Sequence, residues 1–263
     1  VELEINIIDA FTDTRFGGNT AAVIITEQWL SSSQMQSIAT ENNLSETAFL
    51  LKHSEKEFQI RWFSPMNEVD FCGHATLASA YVIFSKNPKL ETLYFSAEAV
   101  GEMQITHSED GEIAMDFPSR APRPIAQVPS DLIEGLSKMP SEVLRNQQAY
   151  FAIYDTEEDV YQLQQNAGKL KRLAPYDVVV TARSKKYDFV SRYFWPSNGG
   201  AEDPVTGSIH AGLAPYWAVR LDKSRLTAFQ ASKRGGLLHC QLKGNRVVIS
   251  GKAVQYLKGT IEI

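Results

Sequence analysis

The phrase Arg61-Trp62-Phe63-Ser64-Pro65, followed by Gly73-His74-Ala75-Thr76-Leu77-Ala78, decides the fold, because the chain says it twice. Half a chain later it reads Arg192-Tyr193-Phe194-Trp195-Pro196 and then Gly207-Ser208-Ile209-His210-Ala211-Gly212. Both copies run Arg-aromatic-Phe-x-Pro, a short link, and a glycine opening a small-residue apolar segment. A repeat fixes architecture, and a period this long gives two similar halves rather than a solenoid. Each half is expected to feed an extended strand into a helix. Chance likeness of short apolar phrases is the competing explanation.

The two apolar segments, Gly73–Ser85 and Gly207–Leu221, carry apolar residues on nearly every side. A helix apolar all round is buried all round. Pro215 inside the second segment removes one helical hydrogen bond and is expected to kink it. Around them lie short alternating strands: Glu2–Ile8, Glu57–Phe63, Thr92–Ser96, Gly101–Thr106, Ile113–Phe117, Val178–Ala182, Leu237–Leu242 and Arg246–Ser250. Amphipathic helices are expected only near 31–41, 130–138 and 157–166, too few for a doubly wound parallel sheet. The pattern predicts an α+β protein of two pseudosymmetric lobes. Each is a barrel-like, mostly antiparallel sheet wrapped around a central apolar helix. Three prolines within Pro118–Pro124 read as a linker, giving lobes 1–118 and 119–263, with the last strand free to return to the first.

Composition narrows the function. The chain has 263 residues, 43 % hydrophobic and 22 % charged, the balance of an ordinary globular protein. A net charge of -5 without a basic block argues against nucleic acid. No apolar run approaches membrane-spanning length, and Val1–Ala10 alternates like a strand rather than a signal peptide. Cys72 and Cys240 lie far apart, outside any Cys-x-x-Cys spacing, so neither a metal site nor a disulfide is expected. A reducing cytoplasm is the expected compartment. No phosphate loop or dinucleotide fingerprint appears, so no cofactor is expected.

The chemistry is expected at the helix starts. A helix N-terminus presents unsatisfied N–H groups and partial positive charge, and Gly73 and Gly207 let a ligand approach the backbone. Helix starts facing one cleft would hold a carboxylate or a developing enolate; otherwise these glycines are tight turns. His74 follows the first glycine and Asp203 precedes the second. Each has a plain alternative: a structural histidine, and an N-terminal cap. Asn43–Leu50 reads as a strand placing Leu44, Glu46, Ala48 and Leu50 on one face. An apolar setting disfavours an ionised carboxyl, which suits general acid/base work; an exposed strand end is the alternative reading.

Several blocks now combine. Asn43–Phe49, Cys72–Ala78 and Glu202–His210, with Asp9-Ala10-Phe11, Gly18–Val23, Gln230-Ala231-Ser232 and Arg234-Gly235-Gly236, resemble the signature blocks of the phenazine-biosynthesis PhzF-like proteins. The blocks stand in family order over nearly the whole chain. The resemblance implies a diaminopimelate-epimerase-like fold and a cofactor-independent isomerase, usually a homodimer, with its site between the lobes. It implies a small carboxylate-bearing, amino-acid-like substrate. It assigns proton transfer to Glu46, supporting roles to His74, Asp203 and Ser208, and substrate binding to Asn19 and the backbone of Gly73 and Gly207. Related racemases use paired cysteines at the two helix starts. Here the positions hold Cys72 and Thr206, which disfavours a two-thiol mechanism. The chain departs from the family at Ile209, where relatives commonly carry Ala. A ligand-binding protein on the same fold and a cysteine-dependent racemase are the competing functions.

Overall fold

Alternation of polar and apolar residues over the first ten positions becomes strand β1 (Glu2–Ala10), which buries Ile5, Ile8 and Ala10. The computed structural model describes residues 1–198 and 200–263. It divides into two compact units, Val1–Asp116 with Ser250–Ile263, and Phe117–Ile249.

In the first unit, β1 is followed by β2 (Asn19–Thr26), helix α1 (Ser32–Asn42), β3 (Glu46–Lys52), β4 (Glu57–Phe63) and the two-residue β5 (Glu68–Val69). Helix α2 (Gly73–Lys86), β6 (Thr92–Ala97), β7 (Gly101–His107) and β8 (Ile113–Pro118) complete the run. β1 pairs antiparallel with β2, β2 parallel with β3, β3 antiparallel with β4, β4 parallel with β6, and β6 antiparallel with β7. Ser31 caps α1 in a reciprocal capping box with Gln34. Asn43, in the left-handed conformation, ends the helix. The strand expected from Asn43 therefore begins only at Glu46. It is buried through its first five residues instead of alternating, because α2 covers one face and α1 the other. Helix α2 packs on β1, β2 and β3 and buries all sides but that of Tyr81 and its C-terminal turn.

The second unit repeats this order of pairings. It contains β9 (Arg123–Pro124), α3 (Ser130–Gly135), β10 (Glu142–Arg145), β11 (Ala149–Tyr154), α4 (Glu157–Gln162) and α5 (Ala167–Leu170). β12 (Asp177–Arg183), β13 (Phe189–Phe194), α6 (His210–Leu221), β14 (Arg225–Gln230), β15 (Gly236–Lys243) and β16 (Arg246–Gly251) follow. β10 and β11 are antiparallel, β11 and β12 parallel, β12 and β13 antiparallel, β13 and β14 parallel, and β14 and β15 antiparallel. Each parallel step is bridged by helix, as a crossover requires. β17 (Ala253–Glu262) closes the chain, running antiparallel to β1 in the first unit.

The duplicated arginines do the same work in each unit. Arg61 forks onto Glu68 with both contacts at 2.6 Å, and its guanidinium lies 5.2 Å from the Phe63 ring. Arg192 forks onto Glu202 at 2.8 and 2.9 Å and lies 5.2 Å from Phe194. The expected class, α+β with a mostly antiparallel sheet and an apolar helix in each half, is the fold observed.

One boundary needs correction. The second apolar helix starts at His210, not at Gly207. His210 Nδ1 donates to the Thr206 carbonyl at 2.9 Å, the acceptor an α-helix would offer to the His210 amide. That amide turns to Gly207 instead, at 3.1 Å, so residues 207–209 form a tighter turn leading into α6.

Candidate active site

In the first unit the parallel pairing of β2 with β3 sets Ala21 beside Glu46. Asn19 opens one strand and Glu46 the other. Gly73 opens α2 behind Cys72, whose extended backbone makes it the N-cap without a side-chain capping bond. The first helical bond runs from the Thr76 amide to the Cys72 carbonyl, at 3.1 Å. The amides before it have no acceptor inside the helix.

These elements bring together residues that the sequence holds apart. His74 Nε2 stands 3.0 Å from Glu46 Oε2, and both side chains are 4 % exposed. Glu46 Oε2 has no well-directed hydrogen bond, so the contact is ionic. Asn19 Nδ2 lies 3.1 Å from His74 Nδ1, and Ser45 Oγ donates to Asn19 Oδ1 at 3.1 Å. Cys72 Sγ lies 3.4 Å from His74 Nδ1.

Burial, the largest influence, pulls the His74 pKa down. The charges of Cys72 and Glu46 and polar contacts with both override it, and it stands well above 6.5. Burial, then the Glu46 carboxylate, pushes the Cys72 thiol up to about 11. Near neutral pH the thiol is therefore uncharged, and Asn19 and Glu46 take up the two ring nitrogens of His74.

In the second unit the Asp203 amide bridges to the Tyr193 carbonyl at 3.0 Å, and its carboxylate accepts from Thr206 Oγ1. Gln230 locks this loop. Its Nε2 donates to the Asp203 carbonyl at 2.8 Å, and its Oε1 accepts from the Thr206 amide at 2.9 Å. Ser208 Oγ accepts from Gln148 Nε2 at 2.9 Å, and Gln148 also reaches Tyr193 Oη at 3.2 Å. Gly207 lies in the turn between Asp203 and Ser208, and Ile209 is fully buried. The sequence reading missed Gln148 altogether. Gln230 stood in a matched block without a role, and its spacing from Asp203 gives no local signal.

Among the described residues, Glu46, Cys72 and His74 also form a group with metal-ligating chemistry, their ligand atoms all within 4.8 Å of one another. No helix among the described residues is long and apolar enough to cross a membrane.

The fold and the buried acid–imidazole pair define a class, and comparison with known proteins agrees. The chain is 46 % identical to an uncharacterized isomerase of Pseudomonas aeruginosa, over 263 residues and the full length of both. The crystal structure of a phenazine biosynthesis PhzF-family protein from Enterococcus faecalis superposes with a TM-score of 0.94 at 40 % identity, over all of both chains. A predicted epimerase of Pseudomonas aeruginosa shares the fold at a TM-score of 0.75 and 19 % identity, over 98 % of this chain and 99 % of that one. The protein is an isomerase. It belongs to the phenazine biosynthesis-like (PhzC-PhzF) family, whose model matches residues 8–259.

Proposed function

We propose that the protein is a cofactor-independent isomerase that moves one proton between two carbons of a small, carboxylate-bearing, amino-acid-like substrate. Glu46 is its single acid/base. The carboxylate takes a proton from one carbon, the electron pair shifts into the substrate's conjugated system, and the same carboxyl returns the proton at another carbon. Atoms and charge balance without an oxidant or a group donor. His74, with Nε2 3.0 Å from the carboxylate, steadies Glu46 before the transfer. Asn19 fixes the imidazole. The uncapped start of α2 at Gly73 offers backbone N–H groups to a substrate anion. We carry Asp203, Gly207 and Ser208 into the same reading as substrate-positioning groups, on the strength of the family blocks they occupy.

The observation that carries this reading is Glu46 itself. A carboxylate 3 % exposed, with one oxygen lacking a directed hydrogen bond, is costly to the fold. Buried titratable groups kept at such a cost mark reaction sites. The uncharged Cys72 thiol argues against a cysteine base, since the thiolate is the reactive form.

The test is a heat-stabilisation screen of small amino-acid-like carboxylates, followed by proton NMR of each stabilising compound in heavy water with enzyme. We expect one of them to rearrange, and Glu46→Gln to lower turnover at least ~10²-fold, the usual share of a general acid/base. Near-native turnover by Glu46→Gln would remove Glu46 from the mechanism.

A further inference from the structure

We propose that Glu46, Cys72 and His74 form a binding site for a thiophilic divalent cation of the Zn²⁺ class, which captures the proton-carrying carboxylate and switches the isomerase off. The inhibition rests on the role given to Glu46 above; the binding does not.

Three features of the site argue for it. The donor set is one thiol, one imidazole and one carboxylate, the ligand types that zinc takes. The spacing is close to that of a metal's own coordination shell. Zinc–ligand lengths of about 2.0–2.3 Å put tetrahedral ligands roughly 3.3–3.6 Å apart. Cys72 Sγ and His74 Nε2 are 3.9 Å apart, and His74 Nε2 and Glu46 Oε2 are 3.0 Å apart. All three ligand atoms fall within 4.8 Å of one another, and closing the shell needs the Cys72 thiol, now 3.4 Å from Nδ1, to swing toward Nε2 while Glu46 draws back by a few tenths of an ångström. Two of the three sit at the start of a helix whose backbone fixes Cys72 and His74 two residues apart. The third is anchored in a strand buried through its first five residues.

Charge argues in the same direction. Binding breaks the Cys72 S–H bond, sends that proton to solvent, and forms metal–sulfur, metal–nitrogen and metal–oxygen bonds with a neutral imidazole. A thiolate and a carboxylate then balance the dication, so the filled site buries no net charge, whose desolvation is the main obstacle to an ion in the interior. His74 ligates through Nε2 while its Nδ1 stands 3.1 Å from the Asn19 side-chain amide, the kind of outer contact that orients metal-bound histidines. A fourth position remains for water.

The proposal predicts behaviour that catalysis alone does not require. Metal-stripped protein, kept reduced with a phosphine, is titrated with Co²⁺. We expect a thiolate-to-cobalt charge-transfer band in the near ultraviolet with four-coordinate visible bands, all bleached by Zn²⁺. Cys72→Ser abolishes the charge-transfer band, and Cys240→Ala leaves it intact. Because the ligands bind metal only when deprotonated, apparent affinity rises with pH. Absence of the band in the wild-type chain at millimolar Co²⁺, its survival in Cys72→Ser, or its loss in Cys240→Ala would each overturn the site. The wild-type and Cys240→Ala titrations decide the matter even where Cys72→Ser fails to fold. A protein that binds Zn²⁺ with these signatures while Glu46→Gln keeps its turnover would retain the site and lose the catalytic reading.

Discussion

His210 shows how one side chain carries a pH dependence for the whole fold. It is fully buried at the start of α6, stacked on Phe189, with Nδ1 committed to Thr206 and Nε2 without a partner. Burial pushes its pKa down from 6.5 to about 4, against a small opposing effect of the Thr206 carbonyl. The unfolded chain therefore binds the proton more readily than the folded one between these values, and stability falls as pH falls. The contribution is intact above about 6.5 and lost by about 4. At ~1.4 kcal/mol per pKa unit the loss amounts to about 3 kcal/mol. His210→Asn keeps a donor near the Nδ1 position and removes the titration. Urea unfolding at pH 7 and pH 4 should show the wild type losing about 3 kcal/mol more than the variant; equal losses would refute the assignment. Its burial was legible, because His210 lies in the apolar segment Gly207–Leu221 that the sequence marks as enclosed, but the Thr206 contact and the lone Nε2 were not. Glu46 was more legible. An acid within an apolar run signals its chemistry, but its contact with a histidine 28 positions away depends on a strand order that no spacing reveals. The grouping of Glu46, Cys72 and His74 was hidden in the same way, because the three side chains converge only through β3 and the start of α2.

At the scale of elements, the duplicated phrase was the most informative feature, and the reason is physical. Each copy encodes a strand whose arginine must find a carboxylate and an aromatic face, and a helix small enough on every side to be enclosed. The two arginine forks, onto Glu68 and Glu202, are the same solution reached with different links. What the phrase did not convey was how each helix begins. Gly73 starts α2 directly, whereas the His210 side chain delays α6 by a turn. Several strands also escaped the reading, notably β11, which is buried on both faces and lacks alternation. Gly18 ties an element to the site. It sits at φ +61°, and a Cβ there would come 2.0 Å from the Ala10 carbonyl oxygen. The next residue, Asn19, orients His74. Gly18→Ala should cost about 2–3 kcal/mol from backbone strain and clash. It should also lower turnover of the substrate identified by the screen, since the start of β2 must shift. Unchanged denaturant midpoint and turnover would show that the turn yields without moving Asn19.

At the scale of the molecule, the two units share an order of pairings but not a chain layout. The second unit is one continuous segment, whereas the first needs residues from both ends of the sequence. Its β1 lies between β2 and β17, with nine residues paired to β17 from Glu2–Glu262 to Ala10–Ala253. No residue of β17 is fully buried, so its contribution is less apolar burial than the covering of β1's backbone donors and acceptors. A strand as apolar as β1, left with an open edge, is a template for pairing between chains. Removing residues 253–263 should therefore lower the melting temperature by roughly 10 °C or more, given about 2–4 °C per kcal/mol in a chain of this size. It should also drive aggregation through β1. A synthetic peptide of residues 250–263 should restore monodispersity by adding back the missing strand. Amide exchange should show protection lost first in β1 and β2 and kept in β11 and β12. Melting of the truncated chain at the wild-type temperature would mean that the first unit holds its sheet without its last strand.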